Sequence, residues 1–399
     1  MRGRGAIVVG GYVNGLGIVR ALADRGVPVA VVTTQPYDLA QRSRWCVASC
    51  AAHAIGETPD ALPAALDAWR TRFPGWALLP TADDALVAIA RHHDTLAKSF
   101  RPIAPPEDVV RRLVDKTLLL DAARAAGVDL PHCWGPATLA TVARDELRFP
   151  LLVKPVVGYR FVARFGVKLF CARDRAELRA AVERVASAGL DAEIFDLVPG
   201  DDDQIWSYTL WVDERGEPGP GVTVRKIRQS PARFGVARVA CAVDDLPHLR
   251  DATIAVARQL DLRGAVSAEF KRDPRDGRFR FLEINGRSVI YNALLRRAGH
   301  DVAALAWSEH VERAPLRQNV SGWRGTWINL HADVLNGLLR RDEALGLRAF
   351  GAPYRSPMIE AVWSWRDPAP FAAQWGRTMR LAARQLRPTA SAVRRPRET

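Results

Sequence analysis

Phe281-Leu282-Glu283-Ile284-Asn285-Gly286-Arg287 is the stretch whose reading decides the fold. It alternates apolar and polar residues with the period of two that belongs to a β-strand. Just upstream lie Ser267-Ala268-Glu269-Phe270-Lys271 and the turn-forming Asp273-Pro274-Arg275-Asp276-Gly277. The three pieces predict a hairpin of strands 265–271 and 278–285. In such a pair Glu269 and Glu283 face the same side across the ladder, and Asn285 shares that face. Two carboxylates and an amide oxygen suit a hard cation such as Mg²⁺ carrying polyphosphate. Arg287 continues the same face, where its fork of donors could grip a carboxylate or a phosphoryl group. The plain alternative is a charged hairpin facing solvent.

The lysines favour the site. The chain has 399 residues and a formal charge of +13, yet only six of its 57 basic residues are Lys, at 98, 116, 154, 168, 226 and 271. Lys154 closes the apolar run Leu151-Leu152-Val153 before Pro155, Lys116 sits in Leu113-Val114-Asp115-Lys116-Thr117, and Lys226 in Val224-Arg225-Lys226-Ile227-Arg228. An ammonium at the end of a buried strand is costly unless it meets an anion, and phosphate oxygens are the obvious partner. Lys98 and Lys271 read as exposed or interface residues, and Lys168 has no assigned role.

Outward from these positions the chain resolves into layers. Ala6–Val9, Val27–Thr33 and Trp76–Pro80 read as strands, with helices over 15–25 and 83–93, which is the alternation of a parallel α/β sheet. The glycine-rich turn Gly10-Gly11-Tyr12-Val13-Asn14-Gly15-Leu16-Gly17 opens a helix, but the second strand ends Val32-Thr33-Thr34-Gln35 without the acid of a dinucleotide site. A structural turn is expected there. The Pro-rich Arg101-Pro102-Ile103-Ala104-Pro105-Pro106 marks a boundary. After it come a helix with apolar spacing at Val109, Leu113, Leu118, Leu119 and Ala122 that ends at Gly127, and strands 151–155, 167–171, 193–198, 205–212 and 221–227, with helices at about 174–188 and 248–260, the mixture of an α+β region.

Composition trims the alternatives. Hydrophobic residues make up 48% and charged ones 25%, as in a packed globular chain. The basic excess is arginine spread along the chain, so no nucleic-acid partner is expected. Five scattered cysteines suggest reduced thiols and a cytoplasmic setting, and Cys46 and Cys50 lack the second pair that a zinc site needs. The N-terminus reads as a strand and not as a signal peptide. No apolar run is long enough to span a membrane.

Taken in order, Lys116, Lys154, the Pro199-Gly200 hinge, Glu269 and the Glu283–Arg287 motif resemble the ATP-grasp ligases, closest to the carboxylate–amine branch that includes D-aspartate ligase-like and carbamoyl-phosphate-synthase-like proteins. The resemblance runs from residue 6 to about 312. It implies a Rossmann-like pre-ATP-grasp domain over 1–106, ATP-grasp subdomains over 107–192 and 193–312, and a small Trp-rich extension over 313–399. By the same resemblance Lys116 and Lys154 would contact the α- and β-phosphates. Asp196 and the Leu197 and Val198 backbone would meet the adenine. Asp203 would take the ribose, with Asp201 and Asp202 close competitors. Glu269, Glu283 and Asn285 would hold two Mg²⁺ ions, for which Mn²⁺ could substitute. Arg287 and Lys226 would steady the γ-phosphate and an acyl intermediate. The family's glycine-rich loop falls on residues 156–166, where Arg160 or Arg164 could replace amide contacts.

The implied reaction joins a small-molecule carboxylate to an amine through an acyl phosphate, releasing ADP and phosphate. Residues 229–235 are a candidate cover, and Arg225, Arg228 and Arg233 candidate ligands for an acidic substrate. Carboxylation or carbamoyl-phosphate-type chemistry is the enzymatic alternative, and a non-catalytic nucleotide-binding module the other. Half of the twelve tryptophans, 307, 323, 327, 363, 365 and 375, fall in the last third. They read as a small added core, with a substrate pocket or a homodimer interface as alternatives. The basic amphipathic helix over 371–386 could touch an anionic membrane surface.

Overall fold

The computed structural model describes residues 4–314, 316, 318–339 and 346–385. Three sheets organise them. The first is parallel and has the order β3-β2-β1-β4-β5, built from β1 (Ala6–Val9), β2 (Val29–Thr33), β3 (Cys46–Ala51), β4 (Ala77–Pro80) and β5 (Arg101–Pro102). β1, β2 and β4 are apolar and buried throughout, because helices cover both faces of a parallel sheet. The helix Val13–Ala23 begins straight after the glycine turn. The Gly11 amide there donates to the buried Asp38 carboxylate at 2.9 Å, so the turn is structural, as its missing acid suggests.

The second sheet, β6-β9-β7-β8, contains β6 (Cys133–Pro136), β7 (Leu151–Pro155), β8 (Phe170–Ala172) and β9 (Ala192–Asp196). Leading into it, the single helix expected from about Val109 to its end at Gly127 is two, Glu107–Val114 and Lys116–Ala125. The break is at Asp115, whose carboxylate caps the second helix by accepting from the Thr117 and Leu118 amides at 3.0 and 3.2 Å. Lys116 therefore occupies the first position of a helix.

The third sheet is the largest, β14-β13-β10-β11-β12-β15-β16. Its strands are β10 (Ile205–Val212), β11 (Val222–Ser230), β12 (Val236–Ala242), β13 (Gly264–Arg272), β14 (Phe279–Asn285), β15 (Thr326–Ile328) and β16 (Met358–Glu360). β13 and β14 pair antiparallel with Glu269 opposite Glu283 and Ser267 opposite Asn285, and the register slips beyond Glu269. The Trp-rich stretch from 313 does not make a core of its own among the described residues. Its strands β15 and β16 extend this sheet from β12, and Trp327 is fully buried in the core shared with the first sheet. The expected terminal helix runs Ala369–Gln385, and the basic tail over 386–399 lies outside the described residues. No helix among the described residues is long and apolar enough to cross a membrane.

Candidate active site

A cleft of about 850 Å³ lies between the second and third sheets and reaches the C-terminal end of the first. Its floor is the β13–β14 hairpin, which presents Glu269, Glu283, Asn285 and Arg287. Lys116 and Lys154 enter from the 4-stranded side, and the Lys116 ammonium lies 3.9 Å from Glu283. Lys154 stands over the Phe195 ring, 5.1 Å from its centroid. Burial, reinforced by Lys116, pushes Lys154 down to about 8. Burial alone would raise Glu283, but the ammonium groups of Lys116, Lys168, Lys226 and Lys154 outweigh it and hold the carboxyl at about 2.

Lys226, expected at the γ-phosphate, does not line the cleft and stands beside Glu269 on the same face of the third sheet. It is 5% exposed and donates to Glu269 at 2.7 Å. Burial lowers its ammonium, yet Glu269 outweighs that and raises it above the ordinary value. Arg287 donates through Nε to Asp83 at 2.7 Å, at the start of the helix Asp83–Arg91. A second clamp holds the same junction: buried Asn14 donates to the carbonyls of Thr81 and Ser288 at 2.7 and 2.8 Å.

The donors fit a hard cation. Among the described residues no three His, Cys, Asp or Glu converge. A metal on Glu269, Glu283 and Asn285 would therefore draw its remaining oxygens from phosphate and water, as Mg²⁺ does with nucleotide triphosphates.

Other expected residues are placed differently. The hinge Asp196, Leu197 and Val198 lines the cleft, but the Asp196 carboxylate accepts from Trp134 Nε1 at 2.7 Å. Asp203 is turned out of the cleft and paired with Arg225 at 2.7 Å, so neither lines it. Arg228 is likewise outside. Its guanidinium is buried against Asp333 with contacts of 2.8 and 2.6 Å. The reason is the pleat: Arg225 and Lys226 are consecutive and point to opposite faces. The ladder then slips between Lys226 and Arg228, which removes the period that would have aligned those two. Of the three arginines proposed for an acidic substrate, only Arg233 lines the cleft. It lies in the tip of the β11–β12 hairpin, which Asp202 pins by accepting from the Gln229 and Arg233 amides at 2.7 and 2.6 Å.

The 156–166 stretch also departs from expectation. It forms the helix Gly158–Phe165, anchored by buried Phe161. Gly158, Tyr159, Val162 and Ala163 line the cleft, while Arg160 and Arg164 do not, so their guanidinium groups replace no loop amides there. Instead Lys168, just past this helix, reaches in and donates to the Gly235 carbonyl at 3.4 Å.

Sequence reasoning missed Lys168, Lys271 and the wall from the first sheet, where Gln35, Tyr37, His53, Asp83 and Asp84 line the cleft. A signal for Asp83 and Asp84 was present. They follow β4 and open a helix, and ligands gather at the carboxyl ends of parallel strands.

The comparisons bear on this arrangement. No family model matches the chain. The D-aspartate ligase of Enterococcus faecium (strain Aus0004) is 24% identical over 267 residues, covering 62% of this chain and 61% of that enzyme. The chain thus matches about six tenths of the length of this relative. Among solved structures, the L-amino acid ligase from Bacillus licheniformis aligns with a TM-score of 0.60 at 16% identity, over 79% of this chain and 76% of that one. N5-carboxyaminoimidazole synthetase from Staphylococcus aureus, complexed with ADP, aligns at 0.61 and 13% identity over 86% and 87%. The chain has the ATP-grasp fold. Biotin carboxylase from Campylobacter jejuni shares it too, with a TM-score of 0.62 at 14% identity over 81% and 74%. Within the ATP-grasp architecture the cleft is walled by both the 4-stranded and the 7-stranded sheet, so both contribute charge to it.

Proposed function

We propose that this protein is an ATP-dependent, Mg²⁺-requiring carboxylate–amine ligase acting on small molecules. The observation that carries the reading is the charge pattern of one cleft: Glu269, Glu283 and Asn285 on its floor, with Lys116, Lys154 and Lys168 aimed at the same space. Polyanionic phosphate and a divalent cation together neutralise such a set, and neither does so alone. The E. faecium relative and the B. licheniformis neighbour carry the names of amino-acid ligases, which supports the same class.

Lys116 and Lys154 would bind the phosphate chain while the Leu197 and Val198 backbone meets the base. Mg²⁺ held by Glu269, Glu283 and Asn285 would neutralise charge as it builds on the phosphate oxygens. The substrate carboxylate oxygen attacks the γ-phosphorus, ADP leaves, and an acyl phosphate forms. The amine nitrogen then attacks the acyl carbon, the C–O bond to phosphate breaks, and the amide forms with loss of a proton. Arg287 stands where it could hold the substrate carboxylate or the departing phosphate, with Asp83 fixing its direction. The chain's own contribution is positioning and preorganised charge.

Purified protein given Mg²⁺, ATP and a panel of carboxylic and amino acids should release ADP and phosphate in step with amide formation. Glu283→Gln should reduce that release by about three orders of magnitude or more while leaving the circular dichroism unchanged. Retained turnover in the variant would remove the metal assignment. The likeness to biotin carboxylase supports a second reading, ATP-dependent carboxylation. Release that depends on bicarbonate and not on an amine would select it.

A further inference from the structure

Lys271 is the residue in this cleft whose surroundings demand a ligand most directly. It is only 5% exposed, and what remains of its surface opens into the cleft. Among the described residues its side chain makes no hydrogen bond or ion pair, and the carboxylates whose charge acts on it are Asp202, Asp201 and Asp273. The nearby Asp202 is not bonded to it: its Oδ2 accepts from the Gln229 amide, and its Oδ1 from Gln229 Nε2 and the Arg233 amide. The side chain is packed while its ammonium opens only toward the cleft, so what accepts from it there is water or an anionic group bound in the cleft.

The strand ladder says which part of a ligand reaches it. On β13, Lys271 follows Glu269 by two residues and so shares its face, about 6.6 Å further along the strand. Across the ladder Glu269 is opposite Ser207, and Lys271 is opposite Ile205, which itself lines the cleft. The direction from Glu269 to Lys271 therefore runs away from the metal carboxylates and toward the Asp196–Val198 hinge. A nucleotide with its outer phosphates at Glu269 and Glu283 and its base at the hinge lays its sugar and innermost phosphate between them. The acid expected for that sugar, Asp203, is paired with Arg225 outside the cleft.

We propose that Lys271 binds the ribose–α-phosphate segment of the nucleotide, donating from its ammonium to the oxygen acceptors there. The inference rests on the nucleotide reading above and adds a cationic contact on the sugar side, distinct from Lys116 and Lys154.

Calorimetric titration of wild type, Lys271→Met and Lys271→Arg with ADP and with inorganic tripolyphosphate tests it, alongside melting curves without ligand. Lys271→Met should weaken ADP binding roughly ten-fold or more, the factor of one charge-assisted hydrogen bond, and leave tripolyphosphate within about two-fold. Its ligand-free melting temperature should hold or rise, since an unpaired buried charge has gone, and Lys271→Arg should keep most of the ADP affinity. Equal ADP affinity in Lys271→Met would overturn the proposal, as would a parallel loss for tripolyphosphate, which would place the contact on the phosphate chain. If wild type bound no ADP, the nucleotide reading beneath it would fall first.

Discussion

Asp333 should be among the least replaceable residues outside the cleft. Its carboxylate is fully buried and receives Arg228 at 2.8 and 2.6 Å, Arg238 Nε at 3.0 Å and the Tyr354 hydroxyl at 2.7 Å. Both arginine side chains are 5% exposed. Asp333→Asn keeps the shape but leaves two buried guanidinium groups facing a neutral amide. Removing one member of a buried ion pair typically costs about 3–5 kcal/mol, and both arginines donate to this carboxylate, so a cost within that range is expected. Urea unfolding followed by tryptophan fluorescence would read the loss as a lower midpoint. The double variant Arg228→Met/Asp333→Asn should lose less than the two single variants summed, by about 1 kcal/mol or more, because the second change removes a cation already stranded by the first. A cost below about 1 kcal/mol for Asp333→Asn, or strict additivity, would refute the reasoning. Arg228→Met should also leave affinity for acidic substrates unaltered, since Arg228 does not line the cleft.

Acid stability should carry the signature of His300. It is fully buried, and burial lowers its imidazole from an ordinary 6.5 to about 4. Between those values the unfolded chain binds a proton that the folded one refuses, so stability is present above the window and is lost as pH falls through it, by up to about 3 kcal/mol. Denaturation midpoints measured from pH 7 to 4 should fall less steeply in His300→Leu; an identical slope would exclude the residue as a cause. At Gly17 a methyl group would lie 2.0 Å from Asn292 Oδ1. Asn292 cannot easily yield, because its Nδ2 donates to the Asn14 carbonyl and to Ser288 Oγ at 2.8 and 3.1 Å. Gly17→Ala should therefore destabilise by about 1–2 kcal/mol despite the better helix propensity of alanine, as read by melting temperature, and a stabilised variant would show that the clamp is soft.

The parts that could be read from the sequence are those whose signal is local. Alternation in 265–271 and 278–285 placed Glu269, Glu283 and Asn285 on one face, and the apolar runs identified β1, β2 and β4. The illegible parts depend on partners far along the chain. β12 was missed because Arg238 interrupts its apolar run, and that arginine is buried with the distant Asp333 carboxylate accepting from it. β15 and β16 are three residues each, too short to show a period, and gain strand geometry by pairing at the edge of a finished sheet. Arg225 and Arg228 read with Arg233 as ligands for one acidic substrate, since a register slip leaves no mark in composition. Lys271 reads as an exposed or interface residue, although the same alternation that placed Glu269 already puts it on the cleft face.

The ion cluster at Asp333 also constrains the order in which the protein can be made. Arg238 leaves the ribosome 95 residues before the carboxylate that neutralises it, and Arg228 105 residues before. Until then the middle of the largest sheet holds two cations with no Asp333 to receive them, so closing its strands in the order of translation would bury both arginines ahead of that carboxylate, at a cost. The C-terminal third thus completes the fold from the far end, and a nascent chain that has already emitted every residue of the proposed metal set still lacks the charge that lets the sheet behind it pack.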